Sequence, residues 1–187
     1  ASPLARLLHL QALHPQAAHA LHQADWITGH FSGRWDVADE NNVLKLGYDV
    51  VNRCWPAWLS GLGVRRECLP QVQPPGTPIA AITAESAAAF GLREDVVVAA
   101  GTTDGVAAFL ATGAQEIGDA VTSLGSTLVI KLLSDRPVSA PAFGIYSHRL
   151  GERWLPGGAS NSGGAALLRF FSTEQMAAMS PHLQTEQ

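Results

Sequence analysis

The stretch Val96-Val97-Val98-Ala99-Ala100-Gly101-Thr102-Thr103-Asp104-Gly105 reads as a buried strand, a tight glycine turn and the start of a helix. Three consecutive valines predict an apolar strand over 95–100. The small residues that follow predict a helix over Thr102 to Gly113. Asp104 falls in or just before the first turn of that helix, where the dipole favours an ionised carboxylate. A carboxylate presented at the C-terminal end of a strand suits a base that takes a proton from a hydroxyl. Taken alone, the same segment is also that of an ordinary N-capping aspartate, which is a common occurrence.

Working downstream, two further segments carry donors for an anion. Ser123-Leu124-Gly125-Ser126-Thr127-Leu128 predicts a hairpin turn in which backbone N–H groups and hydroxyls can face phosphate oxygens. A plain Gly-Ser turn gives the same pattern. Gly157-Gly158-Ala159-Ser160-Asn161-Ser162-Gly163-Gly164 predicts a glycine-rich loop between a strand and a helix, and such a helix start is a natural anion site. The GK[ST] ending of a Walker A loop is missing, and glycine-rich loops also serve simply as turns.

Upstream the pattern is mostly helical. Helices are predicted over 3–13, with Pro3 in the first turn, and over Gln16 to Phe31, closed by Gly33. Asp39 to Tyr48 reads as a loop leading into an ordered turn; Asp39, Glu40 and Asp49 have the chemistry of paired carboxylates, but an exposed loop with a capping Asp is the reading usual loop chemistry favours. Asn52 to Leu62 reads as helical with a break at Pro56, and the proline-rich Leu69 to Pro78 as extended loop. Ile79 to Ile82 is a strand, and Thr83 caps a helix that ends at Gly91. From Asp119 onward strands dominate, over Ala120 to Leu124, Thr127 to Leu133, Phe143 to Ser147 and Arg153 to Leu155, before a helix over Gly163 to Phe171. Thr173 to Gln187 is polar and supplies no closing strand. The change from helix-rich to strand-rich sequence, near Gln115 to Asp119, marks the expected domain boundary.

Composition bounds what such a chain can do. Its 187 residues are 47% hydrophobic and 15% charged, which suffices for a core. The net charge of −4, without any Lys/Arg cluster, argues against a nucleic-acid surface. No apolar run approaches the roughly 20 residues that cross a bilayer. Two cysteines outside any CxxC pattern fit reduced thiols in the cytosol. His19 and His22 are three apart on a predicted helix, but nothing completes a metal set of three or four ligands. The five tryptophans fit core or interdomain anchors better than base-stacking platforms.

Taken in order, these segments resemble the middle of an FGGY-family carbohydrate kinase over nearly the whole chain. Asp25-Trp26-Ile27-Thr28-Gly29, Asp39-Glu40-Asn41-Asn42 and Leu44-Lys45-Leu46-Gly47-Tyr48-Asp49 resemble the end of that family's N-terminal domain. Gly101 to Ala108 is similar to its catalytic-aspartate motif, Thr122 to Thr127 to its phosphate-contacting hairpin, and Gly163-Gly164 to its adenine-nucleotide loop. The wording of Asn42 to Asp49, Ser147 to Leu150 and Gly157 to Asn161 is most similar to the cyanobacterial and plant D-ribulose kinase branch, once labelled xylulose-kinase-like.

The resemblance implies an α/β, two-lobed actin-like ATPase (ribonuclease H-like) fold. It implies that residues 1–116 complete the N-terminal, sugar-binding domain and 117–187 begin the C-terminal, nucleotide-binding domain. Asp104 would be the catalytic base and a sugar contact, and Ser126 and Gly164 would meet ATP. Mg²⁺ is implied by ATP chemistry rather than by any protein cage. The implied reaction is ATP-dependent phosphorylation of a small sugar, D-ribulose to D-ribulose 5-phosphate. The alternatives are a xylulose or other polyol kinase, or a non-catalytic actin-like nucleotide-binding module. The expected partners are sugar and ATP, with neither nucleic acid nor membrane, in the cytoplasm or in a plastid stroma if the source is a plant; oligomeric state is left open. The family's opening phosphate loop, its N-terminal sugar contacts and its C-terminal adenosine loop have no counterpart in the 187 residues. The chain alone is therefore expected to be inactive, since phosphoryl transfer depends on positioning.

Overall fold

The Ser2 hydroxyl accepts a hydrogen bond from the Ala5 amide at 3.3 Å, and Pro3 takes the first helical position, where a missing N–H is harmless. Helix α1 then runs Pro3–Leu13, as its spacing predicts. In this computed structural model, which describes residues 2–182, Leu7 of α1 is buried with Leu46, Leu59 and Val64. The described chain divides into two compact units. One comprises residues up to Leu110 with His148–Arg153, the other Ala111–Ser147 with the residues from Trp154 onward.

In the first unit, α2 spans Gln23–Ser32 and ends at Gly33, whose φ of 70° is left-handed. The expected helical start at Gln16 is not observed. The Arg65 guanidinium takes the carbonyls of Pro15 (2.8 Å) and Ala17 (2.9 Å), and the Ala20 amide donates to the Cys68 carbonyl (2.8 Å). Tertiary partners thus claim the backbone groups that a helix would have used internally. Strand β1, Val37–Asp39, follows, and a short 3-10 turn spans Val43–Leu46.

Of the helix expected over Asn52 to Leu62, only α3, Trp58–Gly61, forms. The Asp49 carboxylate instead accepts from the amides of Val51 and Asn52, both at 2.9 Å, and Arg53 sits at φ 50°. A turn capped from its first residue outcompetes the helix. The proline-rich segment, read as loop, contributes β2, Gln71–Gln73, paired in parallel with β1.

Strand β3, Pro78–Ala81, precedes α4, Ala84–Phe90, which is capped by Thr83 and closed by Gly91 as expected. Strand β4, Val97–Ala99, pairs antiparallel with β3. Its burial was overestimated from sequence: Val97 is 59% exposed. Among the described residues β3 and β4 form a two-stranded sheet. Helix α5, Asp104–Leu110, is shorter than its predicted span and is seated by buried Val106 and Phe109.

The second unit is built on an antiparallel sheet. Its strands are β5 (Ala120–Leu124), β6 (Leu128–Leu132), β7 (Tyr146–Leu150) and β8 (Arg153–Ser160), in the order β5-β6-β8-β7. The last three residues of β7 count with the first unit. Strand β8 runs five residues beyond its predicted end, through the glycines read as loop. A Cβ on Gly157 would lie 2.5 Å from the Ile130 carbonyl oxygen, so glycine here permits a close β6–β8 approach. Residues Gly164–Arg169 form a 3-10 turn rather than an α-helix. Helix α6, Thr173–Met179, was not predicted, although Ser172 and Gln175 form a legible capping box before it.

Candidate active site

Asp104 is the first residue of α5. The Thr103 carbonyl accepts from the amides of Val106 (3.0 Å) and Ala107 (2.9 Å), which makes Thr103 the cap and Asp104 the first helical position. The Asp104 carboxylate accepts from the adjacent Gly105 amide at 2.7 Å and is exposed. Asp104 is therefore not the N-cap residue, the alternative its own segment left open, although its carboxylate takes the adjacent first-turn amide. Strand β4, turn and helix follow in the predicted order, and they present this carboxylate to solvent at the strand's C-terminal end.

The turn ahead of Asp104 is held from an unexpected quarter. The Asn41 side chain, 2% exposed, donates through Nδ2 to the Thr102 hydroxyl (3.0 Å) and to the Arg149 carbonyl (3.1 Å). Its Oδ1 accepts from the Arg149 amide at 3.2 Å. Asp39, at the end of β1, anchors the loop by accepting from the amides of Asn41 (3.0 Å) and Asn42 (2.9 Å) and from the Asn42 side chain.

Glu40 is 1% exposed and pairs with Arg53 at 3.4 Å, while its Oε1 has no hydrogen-bond partner among the described residues. Burial raises both carboxyls above their ordinary range. The Asn42 and Asn41 donors oppose this at Asp39, and the charges of Arg53 and Arg149 oppose it at Glu40. The exposed loop expected here is thus a buried polar cluster. Capping by Asp39 was legible in the sequence; burial of its neighbours was not, because a four-residue polar run has no periodicity to reveal what covers it.

In the second unit, Ser126 lies on the three-residue turn between the paired residues Leu124 and Leu128, as a hairpin. Its side chain is exposed. The Gly164 amide donates to the Gly125 carbonyl at 2.7 Å, so the structure brings the hairpin turn and the glycine loop together. A Cβ on Gly164 would lie 2.8 Å from that same oxygen, and one on Gly163 would collide with the Thr127 backbone. Both glycines are explained by close backbone packing on the Ser126 turn. Asp104 belongs to the first unit and this pair to the second.

Among the described residues no group of His, Cys, Asp and Glu is placed to hold a metal ion, and no helix is long and apolar enough to cross a membrane. Both cysteines are free, Cys54 exposed and Cys68 buried.

No protein-family model matches the chain. It is 31% identical over 131 residues to the autoinducer-2 kinase of Enterobacter sp. (strain 638), spanning 67% of this chain and 24% of that protein. The solved xylulose kinase from Rhodospirillum rubrum superposes with a TM-score of 0.83 at 25% identity, over 98% of this chain and 41% of that one. Gluconate kinase from Lactobacillus acidophilus gives 0.82 at 19% identity, over 98% and 40%. Plasmodium falciparum glycerol kinase with ADP gives 0.78 at 10% identity, over 95% and 39%. The fold is thus the α/β, actin-like ATPase fold of the carbohydrate kinases, as expected. The chain spans about a quarter of the curated relative and about two-fifths of the solved kinases.

Proposed function

We propose that this chain is the central segment of an ATP-dependent sugar kinase, in which Asp104 is the catalytic base. The observation that carries the reading is the exposed Asp104 carboxylate at the start of α5, on a fold shared across almost the whole chain with xylulose kinase from Rhodospirillum rubrum. In this reading residues 1–116 complete the sugar-binding lobe and 117–187 begin the nucleotide-binding lobe.

The chemistry follows from the group. Asp104 accepts the proton of a sugar hydroxyl as that oxygen attacks the γ-phosphorus, and the bond to the ADP oxygen breaks. The products are the sugar phosphate and ADP. The Ser126 hydroxyl and the backbone around Gly164 meet the phosphates and the nucleotide. Mg²⁺ entering with ATP would supply charge neutralisation at the phosphates.

D-ribulose is the acceptor favoured by the wording of Asn42 to Asp49 and Gly157 to Asn161. A second acceptor, D-xylulose, is favoured by the Rhodospirillum rubrum likeness. The test assays ATP consumption over pentuloses, pentitols, glycerol and gluconate, using a full two-lobed polypeptide that carries this chain, with Asp104→Ala alongside. D-ribulose with the highest kcat/KM supports the first acceptor. Turnover that survives Asp104→Ala removes Asp104 from its role.

A further inference from the structure

We infer that Asn41 is a positioning residue for Asp104, acting through Thr102; this rests on the reading of Asp104 as the base. The Asn41 carboxamide has the same donor and acceptor groups as a peptide bond. It uses Oδ1 and Nδ2 on the amide and carbonyl of one residue, Arg149, as a neighbouring β-strand would. That two-point pairing fixes the plane of the carboxamide. The remaining N–H is thereby aimed at the Thr102 hydroxyl, 3.0 Å away.

Thr102 stands two residues before Asp104, in the turn between β4 and α5. Nothing in a glycine-led turn of this kind sets the direction of the following helix by itself, because Gly101 adds no side chain to pack. Ahead of the glycine the Ala100 backbone is bonded to Thr77 and Gly76, and beyond it the Thr102 hydroxyl ties the turn to the buried Asn41. The other end of the tie is rigid as well. Asp39 holds the Asn41 and Asn42 amides, and the Arg149 side chain donates to the Val50 carbonyl at 3.2 Å. All these residues belong to one compact unit.

Aspartate at position 41 would keep the shape but set an oxygen against the Arg149 carbonyl, and it would have no N–H for Thr102. A misplacement of about 1 Å at a reacting group costs on the order of 100-fold in rate. The tie aims the base and touches neither sugar nor nucleotide in this assignment, so its loss acts on kcat.

The test uses the full two-lobed kinase and compares Asn41→Asp, Thr102→Val, Thr102→Ser, the Asn41→Asp/Thr102→Val double variant and Asp104→Asn. The expected result is a fall in kcat of roughly 10- to 100-fold for Asn41→Asp and Thr102→Val with both KM values within about twofold. Thr102→Ser, which keeps the hydroxyl, is expected to retain near wild-type kcat, and the double variant to be no worse than the poorer single one. Amide exchange over 101–105, which needs no turnover, is expected to quicken in Thr102→Val alone among the two threonine variants. Full kcat in folded Thr102→Val, unchanged exchange, or additive losses would overturn the inference. Activity in Asp104→Asn would instead overturn the reading of Asp104, while exchange over 101–105 would still report on the tie.

Discussion

Asp104 presents its carboxylate from the first helical position and accepts from the neighbouring Gly105 amide at 2.7 Å. General bases contribute about 100- to 10,000-fold. Asp104→Ala and Asp104→Asn are both expected to lower kcat by that order while leaving the melting temperature near that of the wild type, since the side chain is exposed and Thr103, not Asp104, is the N-cap. Steady-state kinetics and thermal denaturation on the same preparations check this. Glu40 makes the opposite prediction, for stability rather than rate. Burial raises its folded-state value, so on raising the pH the unfolded chain gives up this proton first. Stability therefore declines as pH climbs from the ordinary glutamate range through the folded value, and returns on acidification. Glu40→Gln is expected to be no less stable than the wild type at neutral pH and to flatten that slope, leaving the part due to Asp39. Urea unfolding across the mildly acidic range measures it.

At the scale of elements, the glycine-rich segment divides into two kinds of glycine. Gly157 lies where the Ile130 carbonyl oxygen would be 2.5 Å from a Cβ, whereas a Cβ on Gly158 would meet the Ile145 side chain at 3.5 Å and the Gly144 carbonyl oxygen at 3.9 Å, both ordinary contacts. Neither has a positive φ. Gly157→Ala is expected to destabilise by about 1–3 kcal/mol through overpacking. Gly158→Ala is expected to be neutral or stabilising by up to about 1 kcal/mol, because it restricts the unfolded chain. Chemical denaturation of the two variants distinguishes the positions; equal losses would remove the packing explanation of Gly157. Other elements show what local sequence leaves open. Thr83 and Gly91 bound α4 as read, because capping is a contest within a few residues. The start of α2 was misplaced because Arg65, far along the chain, takes the Pro15 and Ala17 carbonyls.

On the scale of the whole molecule, the 187 residues match about two-fifths of each solved kinase described above. Phosphoryl transfer is mostly positioning and charge stabilisation, so the isolated chain is expected to show no ATP turnover with any sugar of the panel. The full two-lobed polypeptide is expected to show turnover, and a coupled ADP assay on both reads the difference. Robust turnover by the chain alone would show that the proposed division of the sites is wrong. The sequence by itself determined the α/β class, the strand-turn-helix around Asp104 and the hairpin bearing Ser126. Each is written in contiguous residues, as a valine run, a glycine turn or a cap. Only the tertiary structure decided that Asn41 reaches Thr102 and Arg149, 61 and 108 residues away, and that Glu40 is buried. It also decided that Gly163 and Gly164 pack on the Ser126 turn. Such contacts join groups distant in the chain, and hydrogen bonding and burial at one position depend on neighbours that no local pattern records.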